Sequence, residues 1–251
     1  MRSYVENTLI IIIISIILLA SYMYLSGGIY VNKISHCKNS TSLNSVTEDD
    51  FCGIKLFNYT LPYNLRSSIL EMSYDPSMSK RVTIKNWKAG KTIDTKTLQE
   101  NCPEVIKWYK SFAKNISEIV GEKVKITPLS LPTSCAVLIY DEPGDFINYH
   151  FDVNYFNGRF FTVLIPITFE KTCTKYLYKD SNSKEQNVEL VKGKSLIFEG
   201  EKVFHMASKL CSGQRRVVLS LQYVTDDSIN YFNNFLMNIK DKAYTGFSFT
   251  G

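Results

Sequence analysis

Residues 135–167, CAVLIYDEPGDFINYHFDVNYFNGRFFTVLIPI, decide how this chain is read. His150 and Asp152 stand two apart. On an extended segment successive side chains alternate faces, so the two point the same way. A second run, KGKSLIFEGEKVFH at 192–205, ends on His205, which a returning strand would bring to the same place. Two imidazoles and one carboxylate on one side of a metal leave the opposite positions open, a donor set suited to non-haem Fe(II). The chain has three histidines, and two of them fall in these positions. Taken alone, His-x-Asp is a solvated pair and a histidine after Val-Phe is a core residue. Together, in this order, they favour metal ligation by His150, Asp152 and His205.

A third run, SGQRRVVLSLQY at 212–223, follows a turn marked by Ser212-Gly213. A guanidinium offers a planar fork of donors that fits a carboxylate. Arg215 and Arg216 point to opposite faces of a strand. The spacing from Gly213 selects Arg215, with Arg216 as its competitor.

These three runs resemble the 2-oxoglutarate- and Fe(II)-dependent dioxygenases, in the prolyl-4-hydroxylase and lysyl-hydroxylase branch. The residues carrying the resemblance are Tyr140, Gly144, His150, Asp152, Thr162, Gly193, Phe198, His205, Gly213 and Arg215, over 130–225. The segment Lys171-Thr172-Cys173-Thr174-Lys175-Tyr176 departs from the Gly-Gly-Glu/Thr pattern common there, which bears on the substrate-side rim more than on the metal. The resemblance implies a double-stranded β-helix, or jelly roll, with the site at one open end. It implies Fe(II) held by His150, Asp152 and His205, and 2-oxoglutarate held by Arg215 with Tyr140 and Thr162. It also implies O2 as oxidant, support from ascorbate, and hydroxylation of a prolyl or lysyl side chain in a protein substrate. Two other readings are a non-catalytic binding protein on the same barrel and a metal hydrolase using the same three ligands.

The rest of the chain frames this core. Residues 9–31 carry no charge and reach the ~20 residues of a membrane helix, so a single-pass anchor is expected there; a cleaved signal peptide is the alternative. The tail 1–8 precedes it, and a polar stalk, 32–50, follows. The dioxygenase domain is expected at 51–225, with a C-terminal helix and tail at 226–251. Six cysteines, all beyond the apolar run and without CxxC spacing, suit either disulfides in an oxidising lumen or buried thiols. With the resemblance, they place the domain in the endoplasmic reticulum or another endomembrane lumen. Net charge is +5, with Lys and Arg dispersed, which gives no case for nucleic acid.

Pro103 at a first helical position, apolar residues at three- and four-residue steps from Val105 to Val120, and Gly121 predict a helix over 103–120. A short helix is expected around 65–72 and a strand around 81–87, with 88–97 as a loop. Eight strands are expected at 134–141, 146–152, 159–168, 174–178, 187–191, 195–198, 203–206 and 215–224, separated by glycine turns. The fold class is mostly β with flanking helices.

Overall fold

The structure, a computed structural model, describes residues 53–180 and 182–229, together with Ser15. The expected anchor and stalk, and the helix expected after Ile229, lie outside the described residues. Among the described residues no helix is long and apolar enough to cross a membrane.

Twelve strands form one antiparallel sheet. They are β1 (Ile54–Asn58), β2 (Lys80–Ile84), β3 (Lys88–Ile93), β4 (Lys125–Ile126), β5 (Cys135–Tyr140), β6 (Phe146–His150), β7 (Phe160–Pro166), β8 (Tyr176–Lys179), β9 (Glu185–Val188), β10 (Lys194–Glu199), β11 (Phe204–Ala207) and β12 (Arg216–Val224). The order is β1-β10-β7-β12-β5-β3-β6-β11-β8-β9, with β2 on β3 and β4 on β12. The sheet folds back on itself. His205 on β11 packs against Phe198 on β10, with ring centroids 4.5 Å apart, although these strands lie far apart in the order. This is the curled jelly-roll core expected from the sequence.

Strand alternation divides the apolar residues between two layers. Phe161, Val163 and Ile165 of β7 join Val217, Leu219, Leu221 and Tyr223 of β12 on the outer face. Three helices cover that face: α1 (Tyr63–Met72), α2 (Thr95–Asn101) and α3 (Pro103–Val120). Val105, Tyr109, Phe112 and Ile116 of α3 are buried there. Tyr109 also donates its hydroxyl to the Gln222 carbonyl, tying the helix to β12. Gly121 ends α3 in the left-handed region, with φ 72°. Such a backbone is easy for glycine and strained for residues with a Cβ. The alternate residues of the same strands, including Leu164 and Val218, turn inward with Leu196 and Phe198.

Residues 88–97 are not a loop. Lys88–Ile93 is a central strand that pairs with β2, β5 and β6, and Thr95 begins α2. The segment KAGKTI carries little β-forming signal of its own; its neighbours in the sheet supply the pairing. Asp94 caps α2 by accepting the Thr97 N–H at 2.8 Å.

Candidate metal centre

The turn 141–145 sets the start of β6. Its Asp145 is 1% exposed and accepts the backbone N–H groups of Asp141 and Glu142 at 3.0 Å each. Arg81 of the β2–β3 hairpin pairs with the same carboxylate at 2.5 Å and with Glu142 at 2.9 Å. β6 thus leaves a clamped turn and runs to His150, directly opposite His205 on β11.

The two imidazoles are arranged alike. His150 Nδ1 lies 2.8 Å from the Asn148 carbonyl, and His205 Nδ1 lies 2.8 Å from the Val203 carbonyl. A carbonyl only accepts, so each Nδ1 carries the proton and each Nε2 presents a lone pair. Those Nε2 atoms lie 3.5 and 3.9 Å from Asp152 Oδ1. Donor atoms of all three residues fall within 4.8 Å of one another. Rings of Tyr176 and Phe198 pack on His205, and Trp87 lies 6.1 Å from the His150 ring.

Asp152 lies just beyond β6, not within it. Its N–H donates to the Gly200 carbonyl at 2.9 Å. A Cβ on Gly200 would come within 2.6 Å of the Asp152 Cβ, so the close approach requires glycine there. Thr162 Oγ1 donates to Asp152 Oδ2 at 2.6 Å, leaving Oδ1 to face the imidazoles. Burial opposes ionisation of Asp152, but its two imidazole neighbours and the Thr162 hydroxyl together hold its carboxyl well below the usual range. Burial, with His150 nearby, pulls His205 down to about 4. A metal takes such a set as one carboxylate and two neutral imidazoles. The residues fit a divalent ion.

A cavity of about 110 Å³ opens inward from this triad, room for several waters. Its apolar wall includes Leu138, Ile147, Leu164, Ala207 and Val218, and its polar wall includes Lys88, Tyr140, Tyr176 and Arg216. Arg216 sits 5.4 Å from the Tyr140 ring centroid and pairs with Tyr140 across β12 and β5. No carboxylate of the described residues pairs with it. The Tyr176 hydroxyl is buried without a hydrogen-bond partner. Burial raises the Tyr140 and Tyr176 hydroxyls above their ordinary value, so both stay protonated donors.

The structure thus brings together His150, Asp152, His205, Tyr140 and Thr162. It does not bring Arg215 to them. Arg215 donates to the Ser73 carbonyl at 2.6 Å and its guanidinium lies 3.9 Å over Tyr74, on the helix side of the sheet. Arg216 takes the cavity position. The parity of β12 carried the signal: Ser220 and Gln222, the two polar residues of 217–223, share their face with Arg216. Thr162 lines the cavity and gives its hydroxyl to the carboxylate of Asp152. Tyr176 and Lys88 went unseen in the sequence. Tyr176 lies in the segment that departs from the family pattern, and Lys88 lies in the supposed loop.

No family model and no curated protein matches the chain in sequence. Solved structures match it in fold. A Pseudomonas putida prolyl-4-hydroxylase superposes with TM-score 0.51 at 17% identity, over 68% of this chain and 91% of that one. A prolyl hydroxylase from Trichoplax adhaerens, in complex with a hypoxia inducible factor oxygen degradation domain peptide, gives 0.55 at 14% identity, over 86% and 96%. The epimerase SnoN of nogalamycin biosynthesis, in complex with Fe3+, alpha ketoglutarate and nogalamycin RO, gives 0.56 at 11% identity, over 68% and 78%. The chain has the fold of the 2-oxoglutarate- and Fe(II)-dependent oxygenases. Within that class, prolyl hydroxylases are among the structures it resembles.

Proposed function

We propose that this protein is an Fe(II)- and 2-oxoglutarate-dependent dioxygenase that hydroxylates a prolyl or lysyl side chain of a protein substrate. The observation that carries the reading is the pairing of two features in one cavity: a His-Asp-His triad with both Nε2 atoms free, and a carboxylate-binding end built from Arg216, Tyr140 and Tyr176. His150, Asp152 and His205 would hold Fe(II). Arg216 would take the far carboxylate of 2-oxoglutarate, helped by the Tyr140 and Tyr176 hydroxyls. When bound, iron with 2-oxoglutarate and O2 supplies the oxidising power for C–H hydroxylation, with succinate and carbon dioxide as coproducts.

The protein's own part is positioning and shielding. Thr162 keeps one oxygen of Asp152 toward the metal. The two backbone carbonyls fix the imidazole tautomers. The apolar wall keeps water from the reacting face. Trp87, 6.1 Å from the His150 ring, and Val153, next to Asp152 in the chain, are 38% and 44% exposed and offer a surface to a substrate. A protein substrate is supported by the peptide bound to the Trichoplax relative in fold. The same reading keeps 9–31 as a membrane anchor with the domain in an endomembrane lumen. The Cys173–Cys211 disulfide supports an oxidising compartment.

The test is succinate release by the purified full chain supplied with Fe(II), ascorbate, 2-oxoglutarate and air. Asp152→Ala should abolish it by removing the anionic ligand. Equal succinate from that variant would remove the site from the mechanism.

A further inference from the structure

A second cavity, of about 550 Å³, lies behind the first. Tyr176, Arg216 and Val218 line both, so the carboxylate-binding end of the metal cavity is the partition between them. None of the metal triad lines the second cavity. Its outer wall is made by the segments 168–175 and 187–191, with Lys171, Lys175 and Glu189 exposed at its mouth.

Arg216 at the partition points to an anionic solute. The Thr174 Oγ1 and the Tyr176 hydroxyl are both buried without a hydrogen-bond partner, and both residues line the cavity. Buried hydroxyls are ordinarily satisfied, so one orphan on the wall and another at the partition need an account. Lys171 and Lys175 line the cavity together with Glu170 and Glu189, and Arg216, which no carboxylate of the described residues pairs with, borders it at the partition. The wall is also braced: Cys173, within it, is joined to Cys211 in the turn that precedes β12. That bond ties the wall to the strand that starts with Arg216.

We propose that this cavity is the exchange route for the small dicarboxylates, separate from the face that meets the protein substrate. 2-Oxoglutarate reaches Arg216 through it and succinate leaves through it, while Trp87 and Val153, which do not line it, face the substrate. The long Arg216 side chain borders both cavities and can hand an anion from one to the other. A protein substrate covering the triad would then leave cosubstrate exchange open. The inference rests on the dioxygenase reading.

The experiment is anaerobic rapid mixing of the Fe(II)-loaded full chain with 2-oxoglutarate, following the absorbance change on binding and extracting association and dissociation rates. Thr174→Trp fills the cavity, and Glu189→Trp narrows its mouth at an exposed position. Both rates should fall together, by about tenfold, with Kd unchanged, because an obstructed route raises the barrier and not the end state. Unchanged rates in both variants would overturn the route, as would a shift in Kd carried by dissociation alone. If Thr174→Trp fails to retain Fe(II), Glu189→Trp alone decides. An unmodified protein that shows no 2-oxoglutarate binding, or an Arg216→Ala variant that binds it as well as the parent, would remove the dioxygenase reading itself.

Discussion

Arg215 and Arg216 differ by one position and by everything a strand does with one position. Alternation sends Arg216 inward with Val218, Ser220 and Gln222. It sends Arg215 outward, where it holds the end of α1 through Ser73. Arg216→Ala should raise the 2-oxoglutarate requirement by at least about tenfold, the scale of one lost charge-assisted pair. Arg215→Ala should leave that requirement alone and lower thermal stability, since it breaks two hydrogen bonds and a guanidinium–ring contact. Saturation curves for 2-oxoglutarate beside melting curves separate the two. The His150, Asp152 and His205 cluster was legible in the sequence because residue type and order suffice to find it. Which arginine faces the cavity was not legible from the count from Gly213, whereas the polar residues of the strand gave its phase. Protonation adds a pH signature. His205 folds with its pKa drawn down from the ordinary 6.5 to about 4. Between those values the unfolded chain binds the extra proton, so stability of the metal-free protein falls as pH falls through that window. The full effect is on the order of 3 kcal/mol. Metal-free melting temperatures from pH 7 down to 4 should show the decline, and His205→Gln should flatten it.

At the scale of elements, legibility followed periodicity. α3 was readable end to end, because its apolar stripe, Pro103 and Gly121 all agree and the helix obeys them. The strands of 134–224 were readable because glycine turns separate short apolar runs. In the β2–β3 hairpin only β2 was, since a strand was expected around 81–87 and β3 was read as a loop. Lys80–Ile84 alternates across a largely exposed surface, and β3 mixes Lys, Gly and Thr with few apolar residues. Those polar residues are there for the cavity: Lys88 and Thr92 line it. A strand whose inward face is polar loses the pattern by which strands are recognised. The turn after β10 illustrates the reverse case, a small residue whose role only the fold reveals. Gly200→Ala should push Asp152 away, since the new Cβ would stand 2.9 Å from Oδ2 as well as 2.6 Å from Cβ. Metal affinity should drop by about tenfold or more, the effect expected when a group that supports a ligand is disturbed. The fold should survive. Metal titration together with circular dichroism would check both.

At the scale of the molecule, a curled antiparallel sheet carries helices on one face and a chemical cavity inside. The jelly-roll class was readable from many short strands and their turns. The partition between two cavities was not, because it depends on which residues from β8 and β12 meet across the barrel. The disulfide was equally unreadable, since an even set of cysteines states no pairing. Its consequence concerns the wholeness of the chain. Cys173 and Cys211 close a loop of sequence separation 38 that contains β8 to β11 and therefore His205, while His150 and Asp152 lie outside it. The exposed residues Asn182 to Lys184 sit inside the same loop. A protease that cuts there makes two polypeptides, yet the covalent bridge keeps the piece bearing the distal histidine attached to the piece bearing the other two ligands. The triad is in this sense insured against a nick in this exposed loop, for as long as the bridge stays oxidised.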